Sequence, residues 1–150
     1  HAWSAWTRQT LMGADEIIVT ATPDLASLRN AKNIYDHFAS SRPHDARPRL
    51  ILNQVGVVRR PEIPVKDFAE AIGSDPLLVL PFDPQLFGTA ANNGQMIGQL
   101  NAQSRAAQGF SHIARVLTGR ETAVEAKKPK RESFLKMLSS LNRKPLKKAG

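Results

Sequence analysis

Two places in the sequence bring ligand-capable groups to the end of an apolar run. Asn53 lies near the end of "RLILNQV" (Arg49–Val55), and Pro81, Phe82 and Asp83 close "PLLVLPF" and follow it. A carboxamide carries both a donor and an acceptor, which matches the edge of a nucleobase such as adenine. Asn is also a residue that caps its own turn, so Asn53 has a purely local alternative. Phe82 likewise has two readings, a ring beside a ligand or a ring in the core. In open α/β sheets ligands bind outside the carboxyl ends of the strands, where these residues fall. Other chemistry finds no footing. The chain has no cysteine, so it has no thiol nucleophile, thiolate metal site or disulfide, which suits a reducing compartment. His1, His37, His44 and His112 are scattered, and their plain reading is surface or half-buried histidine. No Gly-x-x-x-x-Gly-Lys-Ser/Thr phosphate loop, Gly-x-Gly-x-x-Gly turn, His-Glu-x-x-His or Gly-x-Ser-x-Gly occurs. No catalytic residue and no metal ligand is therefore assigned.

The elements that would position these groups are read from periodicity. "EIIVTA" (Glu16–Ala21), Arg49–Val55 and Pro76–Phe82 lack alternation and are bounded by Pro, Asp or Gly. Strands covered on both faces read this way. After the first strand, Thr22 is placed to cap a helix that Pro23 opens. Its apolar stripe runs through Leu25, Leu28, Ala31, Ile34, Tyr35 and Phe38. "PVKDFAEAIG" predicts a short helix with Val65, Phe68, Ala69 and Ile72 inward and Gly73 as its stop. "LFGTAANNGQMIGQL" predicts a loop and a short helix, with Ala90–Gln95 shaped by its Asn-Gly pair. "SRAAQGFSHIARVLTG" predicts a helix burying Ala107, Phe110, Ile113, Ala114 and Leu117 and ending at Gly119. Trp3–Leu11 predicts a helix whose Trp3 and Trp6, at i and i+3, pack on the sheet or on a dimer partner. Alternating strands and helices define an α/β fold with right-handed crossovers. Three strands leave open apolar edges, so the first half of the sheet is expected upstream of His1.

Charge divides the chain. Of a net +8 over 150 residues, 120–150 hold ten Lys/Arg and three Asp/Glu, a net of +7, which leaves about +1 for the rest. The expected organisation is a body at 1–119 and a basic tail at 120–150. Because the basicity lies in the tail, a fold-wide nucleic-acid surface is not indicated, and no aromatic interleaving supports contact with nucleic acid by the tail lysines. No apolar run approaches the ~20 residues of a spanning helix, and no export signal opens the chain. Within "KKPKRESFLKMLSSLNRKPLKK", Phe134, Leu135, Met137, Leu138 and Leu141 share one helical arc, bracketed by Pro129 and Pro145. Phe134, Leu135, Lys136, Leu138 and Leu141 are thus candidate membrane- or partner-binding residues. Each Lys/Arg near an anionic leaflet contributes ~1 kcal/mol. A helix packed back on the body and a disordered tail are the alternatives.

"ADEIIVTATPDLASLRNAKNIYD" (14–36), "LILNQV" (50–55) and "LVLPFDPQLFGTAANNGQM" (78–96), in this order and spacing, resemble the C-terminal half of the MinD/ParA deviant Walker ATPases. They are most similar to the CpaE/TadZ-like pilus-assembly branch, over about residues 1–118. The resemblance implies the C-terminal half of a mostly parallel, doubly wound P-loop NTPase sheet. It implies ATP and Mg²⁺ as ligands of the full-length protein, with Asn53 at the nucleobase and the Pro81, Phe82, Asp83 loop wrapping it through backbone groups. The spacing from Pro81 to the Asn-Gly loop is that of the pilus branch, so ligand contact by Asn92 or Asn93 is not carried over. Gln54 stands where the family more often has arginine, so that arginine's role is not carried over either. The phosphate loop, signature lysine and Mg²⁺-linked carboxylates are expected upstream of His1. Phosphoryl transfer needs them, so this stretch alone is expected neither to hydrolyse ATP nor to hold it tightly. The resemblance further implies a homodimer, pilus-assembly or secretion components as partners, an anionic membrane met through the tail, and a cytoplasmic protein placed at the inner face of the membrane or the pole. Two rivals are a non-enzymatic localisation scaffold using the same fold and a module acting through its basic tail alone.

Overall fold

Each of the three apolar runs becomes a strand. The computed structural model describes residues 4–120. The expected tail helix, with Phe134, Leu135, Lys136, Leu138 and Leu141, lies outside the described residues, as does Trp3. The element order is α1 (Ala5–Met12), β1 (Ile18–Ala21), α2 (Leu25–Ser41), β2 (Arg49–Val55), α3 (Val65–Ile72), β3 (Pro76–Pro81), α4 (Pro84–Asn93), α5 (Ile97–Leu100) and α6 (Arg105–Leu117). The sheet is parallel in the order β1-β2-β3. Val19 pairs with Leu50 and Ala21 with Leu52, while Val55 pairs with Pro81 after a register shift beyond Leu52.

Side chains alternate across a strand, and β2 shows the consequence. Leu50 and Leu52 enter one core with Val19, Ala21, Ala31, Tyr35, Phe68 and Ile72, beneath α2 and α3. Ile51 enters the other with Leu80 and Ala106, joined by Leu78, Leu86, Phe87, Ile97 and Ile113. Helices thus cover both faces, which is why the strands lack an apolar/polar alternation.

Four local expectations are corrected. The cap of α2 is Asp24, not Thr22: its carboxylate accepts from Ser27 N at 2.8 Å and from the Thr22 hydroxyl. Helix α2 therefore starts at Leu25, which is exposed, while Ala31, Tyr35 and Phe38 are buried. Ala90–Gln95 is not a loop. Asp83 caps α4, Pro84 takes its first turn, and the helix runs to Asn93. Gly94 is left-handed (φ 62°) and Gln95 N donates to Ala90 O at 2.9 Å, so Asn-Gly closes a helix here. On α6, Ala106, Ala107, Gly109 and Val116 are buried, whereas Phe110 and Leu117 are 42% and 40% exposed. The helix approaches β3 through its small residues: a Cβ at Gly109 would lie 2.6 Å from Leu78 Cδ1. Finally, α1 buries no residue, and Trp6 is 76% exposed rather than packed on the sheet. Among the described residues no strand lies beyond β1 for it to cover.

Candidate nucleotide-base site

The carboxyl ends of β2 and β3 are tied together by backbone. Phe82 N donates to Val55 O at 2.8 Å, one step past the Val55–Pro81 pair. That bond brings Asn53 and Gln54 beside Pro81, Phe82 and Asp83. With Pro84 and Phe87 they line an open pocket of about 150 Å³. Both stretches chosen from the sequence therefore meet at one place. A larger cavity of about 250 Å³ sits around Tyr35, Arg42, Arg47 and Pro48. It lies at the amino ends of the strands, away from the crevice that serves ligands in open sheets.

Each lining side chain has a defined state. Asn53 is half-buried, and its Oδ1 accepts from Gln54 N at 2.8 Å, so the local turn-capping alternative is realised by the oxygen. The same carboxamide keeps its Nδ2 donors, for which no partner occurs among the described residues. Phe82 is 42% exposed and belongs to neither core cluster. The Asp83 carboxylate caps α4, its Oδ1 accepting from Leu86 N at 3.0 Å. Phe87, on the pocket wall, meets Phe110 edge-on with ring centroids 6.5 Å apart. Asn93 lies outside this pocket and donates to Gln95 Oε1 at 3.0 Å.

Arg60 and Glu62, also at this end, are not singled out by the sequence. Gln54 has φ 55° and Arg59 φ 62°, both left-handed without being glycine. The Arg60 guanidinium reaches back to the Gln54 carbonyl and, at 3.4 Å, to Gln54 Oε1. Glu62 accepts from Gly56 N at 2.9 and 3.1 Å, from Val57 N at 3.0 Å, and from Arg60 Nη2 at 2.8 Å. The Gly56 N–H, then the Arg60 guanidinium, hold the Glu62 carboxyl below the usual carboxylate range. The only sequence hint is the Pro-bounded, charged string "RRPEIP" (59–64).

Among the described residues no group of three His, Cys, Asp or Glu stands ready to hold a metal ion. No described helix is long and apolar enough to cross a membrane.

A parallel sheet covered on both faces, with a small pocket at its carboxyl edge, defines an α/β protein of the doubly wound type. Within that class its fold is similar to those of ParA and MinD ATPases of known structure. The chain superposes on a ParA family ATPase from Chlorobium tepidum TLS with a TM-score of 0.59 and 21% identity, over 76% of this chain and 45% of that one. It superposes on MinD in a MinC:MinD cell division complex from Aquifex aeolicus with a TM-score of 0.63 and 21% identity, over 78% and 48%. For the MinD cell division protein from Aquifex aeolicus the values are 0.59, 22%, 75% and 47%. The chain thus spans about half the length of the solved structures it matches. No protein-family model matches it, and no curated protein does.

Proposed function

We propose that this chain is the base-binding part of a MinD/ParA-like ATPase, one that positions a pilus-assembly or secretion machine in the manner of the CpaE/TadZ-like proteins. The observation that carries the reading is the meeting of Asn53 with Pro81–Asp83 at one pocket, at the carboxyl edge of a sheet with the ParA/MinD fold. Pockets for whole drug-sized ligands measure ~300–1,000 Å³. The 150 Å³ here suits a heterocyclic base alone. The donors fit the same group: Asn53 Nδ2 faces an acceptor on the base edge, the backbone of 81–83 supplies the other polar contacts, and the exposed Phe82 ring supplies an apolar wall. Residues outside this stretch would hold the triphosphate and Mg²⁺, which would supply the phosphoryl chemistry. The whole protein would be a face-to-face homodimer that binds ATP, with the basic tail, through Phe134, Leu135, Lys136, Leu138 and Leu141, as its anchor at an anionic membrane or the pole.

Asn53→Ala in the whole protein tests the site. Losing one base hydrogen bond of about 0.5–1.5 kcal/mol weakens ATP roughly 2- to 13-fold, with little change in melting temperature. Unchanged ATP affinity removes Asn53 from the site, and ATP binding without detectable hydrolysis assigns the protein to a scaffold role. For the tail, Leu138→Glu abolishes co-sedimentation with anionic liposomes; binding that survives the substitution places the anchor elsewhere.

A further inference from the structure

We propose that Glu62 is a positioning residue for base recognition: through Arg60 and the Gly56 and Val57 amides it holds the left-handed Gln54 turn that aims the Asn53 carboxamide into the pocket. The inference rests on the base-binding reading above and adds a determinant that does not itself touch the ligand.

Left-handed backbone at a residue with a Cβ costs about 1–2 kcal/mol and persists only where its surroundings enforce it. At Gln54 (φ 55°) the enforcing groups are few. Gly56, Val57 and Arg60 all converge on the Glu62 carboxylate, with Arg60 Nε at 3.2 Å and Nη2 at 2.8 Å from one oxygen. The same Nη2 is the group that donates to the Gln54 carbonyl. One carboxylate therefore fixes the guanidinium that fixes Gln54. The far end of the loop is pinned separately, by Ile63 N donating to Pro23 O at 2.8 Å.

The consequence reaches Asn53 through one peptide bond. Its Oδ1 accepts from Gln54 N at 2.8 Å, so the plane of the carboxamide follows the 53–54 peptide. Leu52 and Val55 are both held by pairs with β3, so a change of φ at Gln54 must be taken up by an opposite rotation at the Asn53 ψ. That crankshaft turns the 53–54 peptide, its N–H and the carboxamide bonded to it, and so moves Asn53 from its place in the pocket wall. Apolar packing holds the two ends of the loop, at Val55 and Ile63, but Val58 at its tip is exposed, and neither Arg60 nor Glu62 belongs to a core cluster. Charge-assisted bonds of this kind are the stronger class of hydrogen bond, and they converge where one polar substitution removes them together.

The test uses the whole protein with two probes, ATP and inorganic triphosphate, which share the phosphates and differ in the base. Glu62→Gln and Arg60→Met are each expected to weaken ATP about five- to tenfold while triphosphate affinity stays within twofold. The double variant is expected to be no weaker than either single one, because both act through the same turn. The Asn53 side-chain amide NMR signals are expected to shift in both variants without ligand. Arg60→Lys, which keeps the charge and loses the fork, serves if Arg60→Met fails to fold. Unchanged ATP affinity in the variants overturns the positioning role and leaves the base site standing. Equal weakening of both probes also overturns it, since a general loss of structure would do that. Failure of the unaltered protein to bind ATP overturns both readings.

Discussion

Gly109→Ala is expected to destabilise the protein although it improves a helix. In the middle of α6, alanine is favoured over glycine by about 0.8–1.0 kcal/mol. Against this stands the contact with β3. A Cβ at 109 would lie 2.6 and 2.8 Å from the two Leu78 methyl carbons and 3.3 Å from Leu78 Cγ, where carbon pairs rest at ~3.5–4.0 Å. Because Cγ as well as both methyls is close, rotation about Cβ–Cγ does not clear the overlap; the whole side chain must swing about Cα–Cβ or the helix must shift. Leu78 is packed against the second core, so the move displaces neighbours, and overpacking of this kind costs about 1–3 kcal/mol. The net is a loss of about 1 kcal/mol. In a Leu78→Ala background the obstacle is gone, and the same Gly109→Ala change is expected to stabilise by about 1 kcal/mol, from helix propensity alone. The sign reverses, giving a coupling of about 2 kcal/mol in a double-mutant cycle. Urea titrations of the four proteins measure it through their midpoints at constant slope. Stabilisation by Gly109→Ala in both backgrounds would refute the close-approach account, because Leu78 would then be yielding at no cost.

Two other outcomes follow from the hydrogen bonds. Tyr35 is buried and its hydroxyl donates to Pro48 O at 2.7 Å; Tyr35→Phe leaves that buried carbonyl short of a donor and is expected to cost about 1–3 kcal/mol, and a cost below 0.5 kcal/mol in urea titration would mean the bond contributes little. Acid is expected to destabilise the fold late: the Arg49 side chain lowers the Glu16 carboxyl, the Ser27 N–H and then the Thr22 hydroxyl lower Asp24, and the Gly56 N–H and then Arg60 lower Glu62. Groups with depressed values contribute stability above the unfolded carboxylate range of ~4–4.5 and lose it as pH falls through their lower folded values, so the melting temperature should hold from pH 7 to 5 and fall below about pH 4; a fall already between pH 7 and 5 would contradict these assignments.

How much is legible from sequence depends on what sets each feature. The three strands and α3 are legible because burial on both faces writes itself as unbroken apolar runs, and Phe68, Ala69 and Ile72 repeat at helical spacing. The meeting of Asn53 with Pro81–Asp83 is legible because parallel strands bring their carboxyl ends together. The inward face of α6 is not, since large apolar residues dominate any periodicity while the close contact with Leu78 selects the small Ala106 and Gly109. Asp24 outcompetes Thr22 as a cap because its carboxylate accepts from Ser27 N and from the Thr22 hydroxyl together. The Glu62–Arg60 clasp is hidden for a different reason: its left-handed residues, Gln54 and Arg59, carry no glycine to mark them.

Strand β2 acts as a party wall. Leu50 and Leu52 answer to α2 and α3, whereas Ile51, between them, answers to the opposite side. Substitutions on one side can accumulate and be compensated there without disturbing the other, so the two halves of the interior are free to diverge independently. Length is another matter. Adding or removing one residue in β2 would exchange the tenants of both rooms at once, so this strand should admit many changes of composition over descent and almost none of count.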